Sequence, residues 1–140
     1  MNSAGQSSPL VNGQVIGINQ QLAVYVAGVA IATAAAPLDL ASFSIPFARY
    51  LVQNIIVESQ VAAGTLAAAT IDLRTAPAGG GVSCLAAPVA LVNLTAANLA
   101  QVIAALQNVV QTAPSLTIRQ TVNSINAGQV AFALEIQPLP

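Results

Sequence analysis

Val130-Ala131-Phe132-Ala133-Leu134-Glu135-Ile136-Gln137 alternates without a break. Val130, Phe132, Leu134 and Ile136 fall on one parity, and Ala131, Ala133, Glu135 and Gln137 on the other. Strand side chains point to opposite faces with a period of two, so the segment predicts a half-buried antiparallel strand. The same rhythm runs upstream. In Leu116–Val122, Leu116, Ile118 and Val122 oppose Thr117, Arg119 and Thr121; in Thr70–Thr75, Ile71 and Leu73 oppose Asp72 and Arg74.

Further strands are expected at Val15–Ile18, Leu22–Val26, Leu38–Ile45, Tyr50–Glu58, Val82–Leu85 and around Asn108–Gln111. In Leu38–Ile45 the apolar parity changes between Leu40 and Phe43, which predicts a bulge near Ala41-Ser42. Pro77-Ala78-Gly79-Gly80-Gly81 is a loop, and Asn126-Ala127-Gly128 has the composition of a hairpin turn. Thr95–Gln107 breaks the rhythm: Leu99, Val102, Ile103 and Leu106 stand at helical spacing behind a Thr95 cap, predicting a short helix. The expected fold is all-β, a jelly-roll or Greek-key β-sandwich of about eight strands with one short helix. Residues 1–12 (MNSAGQSSPLVN) lack apolar rhythm and read as an extended N-terminal arm, leaving 13–140 as a single domain.

Composition excludes most chemistry. Hydrophobic residues make up 56% of the 140 and charged residues only 5%, against about 25% charged in ordinary soluble domains. The charged side chains are Asp39, Arg49, Glu58, Asp72, Arg74, Arg119 and Glu135, for a formal net charge of -1. Without His or Lys the chain can form neither a Ser–His–Asp or Cys–His arrangement nor a lysine nucleophile. One cysteine, Cys84, closes neither a zinc site nor an intrachain disulfide, and its expected role is that of a small buried hydrophobe. The four carboxylates are too dispersed for a calcium loop. Ion pairing of Asp72 with Arg74, or of Glu135 with Arg119, outweighs an acid–base pair. The chain therefore reads as no enzyme, with no cofactor and no metal.

Three scattered arginines give no clustered positive field, so neither nucleic acid nor an anionic membrane surface is an expected partner. Leu22–Ala36 (LAVYVAGVAIATAAA) is the most apolar stretch. It is shorter than the roughly 20 residues of a spanning helix and reads as a pair of short buried strands. Nothing before Arg49 is positive, so a secretory signal is not indicated. Gly79–Gly81 leads into a strand-like run and lacks a P-loop lysine, which argues against phosphate binding. Asn93-Leu94-Thr95 matches a glycosylation acceptor, a triplet common by chance.

From Phe47 onward the order of segments resembles a known family. Arg49-Tyr50 opens a β-rich run, followed by Thr70-Ile71-Asp72-Leu73-Arg74-Thr75-Ala76 and the Gly79-Gly80-Gly81 loop. Leu94-Thr95-Ala96-Ala97, Leu116-Thr117-Ile118-Arg119 and a last strand ending in Pro138-Leu139-Pro140 complete it. This succession is similar to jelly-roll cement (decoration) proteins of tailed double-stranded DNA bacteriophages, although Gln53-Asn54 stands where more charge is expected.

The resemblance implies a virion protein on the outer face of the capsid that binds the major capsid protein, bridges capsomers and stabilises the shell. It implies self-association, with a homodimer favoured over a trimer. The contact residues it suggests are Asn2, Gln6, Pro9 and Val11 of the arm, Gly79, Gly80 and Gly81 of the loop, and Arg49, Arg74 and Arg119 as polar anchors. The competing reading is a carbohydrate-binding or adhesive β-sandwich module of a viral fibre or receptor-binding protein. It is poorly served by two Tyr, three Phe and no Trp.

Overall fold

A computed structural model describes residues 22–62 and 64–140. Eight strands run in chain order through these residues: β1 (Leu22–Ile31), β2 (Leu38–Ser44), β3 (Tyr50–Ala62), β4 (Thr70–Arg74), β5 (Val89–Ala90), β6 (Ala100–Ile103), β7 (Ser115–Val122) and β8 (Gly128–Pro138). They form two four-stranded antiparallel sheets, ordered β1-β8-β3-β6 and β2-β7-β4-β5. Only β4 and β5 are neighbours both in sequence and in a sheet. Everywhere else the chain switches sheets or returns to a distant partner.

The apolar parities of both sheets meet in one core. Val52, Ile55 and Val57 of β3 and Phe132, Leu134 and Ile136 of β8 join Ile71 and Leu73 of β4 and Leu116 and Ile118 of β7. Phe132 lies between Val26 and Val57 across the β1-β8-β3 ladder and is completely buried. Cys84 is buried in the same core, and desolvation, with nearby Asp72 adding to it and Arg74 opposing, pushes its thiol up to about 11. Burial likewise raises the Tyr50 phenol to about 12, and its hydroxyl donates to the Ala113 carbonyl at 2.7 Å.

Glutamine amides close the edges of this core. Gln120 lies on the inward parity of β7 and is buried, whereas Val122, expected inside on the same parity, ends the strand exposed. Its Nε2 donates to the carbonyls of Ala32 (2.8 Å) and Val122 (2.9 Å), and its Oε1 accepts from the Ala32 amide (2.9 Å). A fully bonded amide is tolerated inside where a bare one is not, and this one ties β7 to the chain leaving β1. Gln101 bridges in the same way, donating to the Ala90 carbonyl at 2.8 Å and accepting from the Asn93 amide at 3.0 Å.

Several expectations are corrected. Thr95–Gln107 forms no helix: its centre is β6, paired with Ile55–Glu58 of β3. Its burial alternates, with Gln101 and Ile103 buried and Ala100 and Val102 exposed. The open ladder beside β3 and the burial of Ile103 outweigh the helix preference of Ala and Leu. Asn126–Gly128 is no hairpin turn, because β7 and β8 belong to opposite sheets and the chain crosses between them here. Leu22–Ala36 contains one ten-residue strand, half-exposed rather than buried. Val82–Leu85 and Asn108–Gln111 make only isolated bridges, at Ser83, Leu85 and Gln111. The bulge in β2 lies between Asp39 and Ala41, just before its expected place. Among the described residues no helix is long and apolar enough to cross a membrane. The arm (1–12) and the expected strand at Val15–Ile18 lie outside the described residues.

Candidate functional site

The two outer faces of the sandwich are built differently. On the β2-β7-β4-β5 side, pairing places Asp39, Arg119 and Asp72 side by side on β2, β7 and β4. Arg119 Nη1 meets Asp39 Oδ1 at 2.6 Å, and Arg74 Nη1 meets Asp72 Oδ2 at 2.9 Å. Arg119 therefore pairs with Asp39 and not with Glu135, which instead accepts from Asn54 Nδ2 at 2.7 Å. The Asp72–Arg74 pair forms as expected, within one strand.

This charge network holds down the glycine loop. Arg74 donates from Nε to the Gly80 carbonyl (2.9 Å) and from Nη2 to the Gly81 carbonyl (3.0 Å). The Ala78 amide donates to Asp39 Oδ2 at 2.7 Å, and Ser83 Oγ donates to Asp72 Oδ1. Gly81 has φ +64, and a Cβ there would lie 2.3 Å from Thr75 Oγ1, so only glycine fits. The loop thus folds over its own sheet, and Arg74, Arg119 and Gly79–Gly81 converge on one site with Asp72, the partner expected for Arg74, and with Asp39 and Ser83, which sequence alone did not single out. Their place follows from strand register, which no local pattern reveals.

Arg49 lies apart, exposed just before β3, where its guanidinium donates to an oxygen of Pro140 and its carbonyl accepts from the Leu139 amide. Asn2, Gln6, Pro9 and Val11 lie outside the described residues. No group of three or more potential metal ligands occurs among the described residues.

The Ala78 amide holds the Asp39 carboxyl below its ordinary value of 3.8; partial desolvation opposes this and Arg119 adds to it. A carboxylate depressed in the folded state contributes stability above its unfolded value and loses it as pH falls through the folded value. We therefore expect the protection of the Ala78 amide against hydrogen exchange to hold near neutrality and to collapse below pH 3.8. Asp39→Asn should weaken that protection near neutrality and leave little difference from wild type at low pH. Protection unchanged in the Asp39→Asn variant near neutrality would show that the Asp39 carboxylate does not secure the loop.

The opposite face, on β1-β8-β3-β6, carries no such covering among the described residues. Register places Tyr25, Ala133, Ile56 and Val102 in one row across all four strands. Tyr25 is 61% and Val102 57% exposed. Ala23, Glu135 and Asn54 form a row on one side, and Ala131, Glu58 and Ala100 a row on the other. At one end of this sheet Ala30, Ile31, Val61, Ala62, Gly128 and Gln129 are among the residues lining an open groove of about 420 Å³. Gly128 is required there, since a Cβ would meet the Val61 carbonyl oxygen at 2.6 Å.

No family model matches the chain, and no curated protein matches it. Two solved structures show a distant likeness. One is a structure of infectious bursal disease virus, Gx strain, with a TM-score of 0.35 and 14% identity over 86% of this chain. The chain spans only 32% of that viral chain. The other is the capsid asymmetric unit of cyanophage Pam1, with a TM-score of 0.35 and 16% identity over 99% of this chain and 98% of the phage chain.

Proposed function

We propose that the chain is a non-enzymatic virion structural protein that binds the outer surface of the major capsid protein shell, bridges capsomers and stabilises the capsid. The sandwich is read here as a jelly roll: eight strands in the order β1-β8-β3-β6 over β2-β7-β4-β5 suit the paired Greek keys of that fold. Fold alone does not carry function.

The observation that carries the reading is the make-up of the exposed surface. Among the described residues ten large apolar side chains stand exposed, while two arginines and two aspartates neutralise each other against one sheet. Such a surface costs little to desolvate, since few ions lose their water. A cement protein works by contacts present only in the assembled lattice, so its binding shifts the shell toward the intact state by mass action. The homodimer implied by the family resemblance belongs to the same proposal.

The test is co-sedimentation of the purified chain with mature, undecorated capsids of a tailed phage, followed by a heat or low-salt challenge. Saturable binding at a fixed ratio to capsid subunits, with rupture moved to harsher conditions, is the expected result. A soluble chain that binds no shell would sink the proposal.

A further inference from the structure

Resting on the capsid-binding reading, we infer that the outer face of the β1-β8-β3-β6 sheet, left uncovered by the described residues, is the docking surface, and that it fits a protein surface presenting two cationic side chains on either side of a flat apolar patch. The two outer faces divide the work. One is already occupied by residues 77–83, whose amides, carbonyls and Ser83 hydroxyl are bonded to Asp39, Arg74 and Asp72. The other presents the Tyr25–Ala133–Ile56–Val102 row, bordered by three alanines, Asn54 and the two carboxylates Glu58 and Glu135. With strands about 4.8 Å apart, that row is roughly 14 Å long. Small side chains beside a protruding Tyr make a flat seat with an aromatic anchor, the kind of feature that dominates interface energy.

Charge complementarity defines the occupant. Arg74 and Arg119 are both spent on the covered face, and Arg49 sits beyond the end of β3 against Pro140. The bare face is left with Glu58 and Glu135 and with no cation on its four strands. Glu58 stands opposite Ala131 and Glu135 lies four residues further along β8, so the carboxylates flank the apolar row roughly 14 Å apart. Asn54 binds one oxygen of Glu135, which orients the carboxylate and leaves its second oxygen for an incoming donor. Arginine matches this chemistry best, because its planar fork meets a carboxylate at two points. A second copy of the chain on this face would set four carboxylates together without a cation, an arrangement that like-charge repulsion opposes.

The experiment combines charge reversal with carboxyl labelling, using the full chain and undecorated phage capsids. Glu58→Arg with Glu135→Arg should lower the affinity for capsids at least about tenfold at low salt, while the melting temperature stays near wild type because both positions face outward. In the unmodified chain, carbodiimide labelling of Glu58 and Glu135 should proceed freely in solution and be suppressed on capsids. If the unmodified chain binds capsids yet labelling of both residues continues on the particle, the docking face is wrong while the capsid role stands. If both are already protected in the free chain by self-association, a second copy is the occupant and the inference is overturned. Failure of the unmodified chain to bind any shell is a different result, and it strikes the capsid role itself.

Discussion

Phe132→Ala is expected to destabilise the fold by about 3–5 kcal/mol, the range for truncating a fully buried aromatic. For a domain of this size that corresponds to a fall of roughly 10–20 °C in Tm. Phe132 sits on the middle strand of three, opposite Val26 on one side and Val57 on the other, with no exposed surface. The cavity would open inside β1-β8-β3, where backbone ladders on both sides prevent collapse around it. Phe132→Leu should lose much less, because most of the volume remains. A calorimetric Tm within a few degrees of wild type for the alanine variant would mean that the two sheets do not meet at this residue.

The second large effect is expected from Arg74→Ala. Asp72 is 3% exposed, so removing its guanidinium partner leaves a carboxylate with Ser83 as its remaining side-chain partner. Breaking a buried pair in this way costs about 3 kcal/mol or more; the low end applies because the Arg74 side chain keeps 23% of its exposure. Loss of the bonds to the Gly80 and Gly81 carbonyls should also free the loop to limited proteolysis. Adding Asp72→Asn should restore part of the stability, since a neutral amide is less costly to leave inside. The loop should stay cleavable. Additive effects of the two substitutions in urea denaturation would argue that they do not form a coupled pair.

How far the fold was legible follows from where each signal originates. β7, β8 and β4 were readable because alternation is a local property of a strand half-buried on one side. β6 was not. The Ala and Leu content of Thr95–Gln107 around it favours helix, and only the ladder offered by β3 decides otherwise. The sheet membership of β7 and β8 was hidden for the same reason, since Asn126–Gly128 has hairpin composition whichever sheet the next strand joins. Gln120 is held inward because it meets the carbonyl and amide of Ala32, a partner distant in sequence.

The candidate surface was legible only in fragments. Arg74, Arg119 and the glycine loop stood out by residue type and do come together. Asp72 was legible as the neighbour of Arg74 within one strand, whereas Asp39 and the opposite face depend on long-range register. Tyr25, Ile56, Val102 and Ala133 come from four separate strands, one of which read as a helix.

The pairing of β1 with β8 also sets a timetable. Leu22 lies opposite Ile136, so the opening strand of the described fold finds its only ladder neighbour in the closing one. Synthesis proceeds at roughly 5–20 residues per second. On the ribosome β1 therefore waits on the order of ten seconds, an uncharged ten-residue segment with a free edge. Each nascent chain carries this adhesive stretch until its last strand emerges. When many copies are made at once, neighbouring nascent chains compete with β8 for it, and the yield of folded protein should fall as expression rate rises even though the finished sandwich is stable.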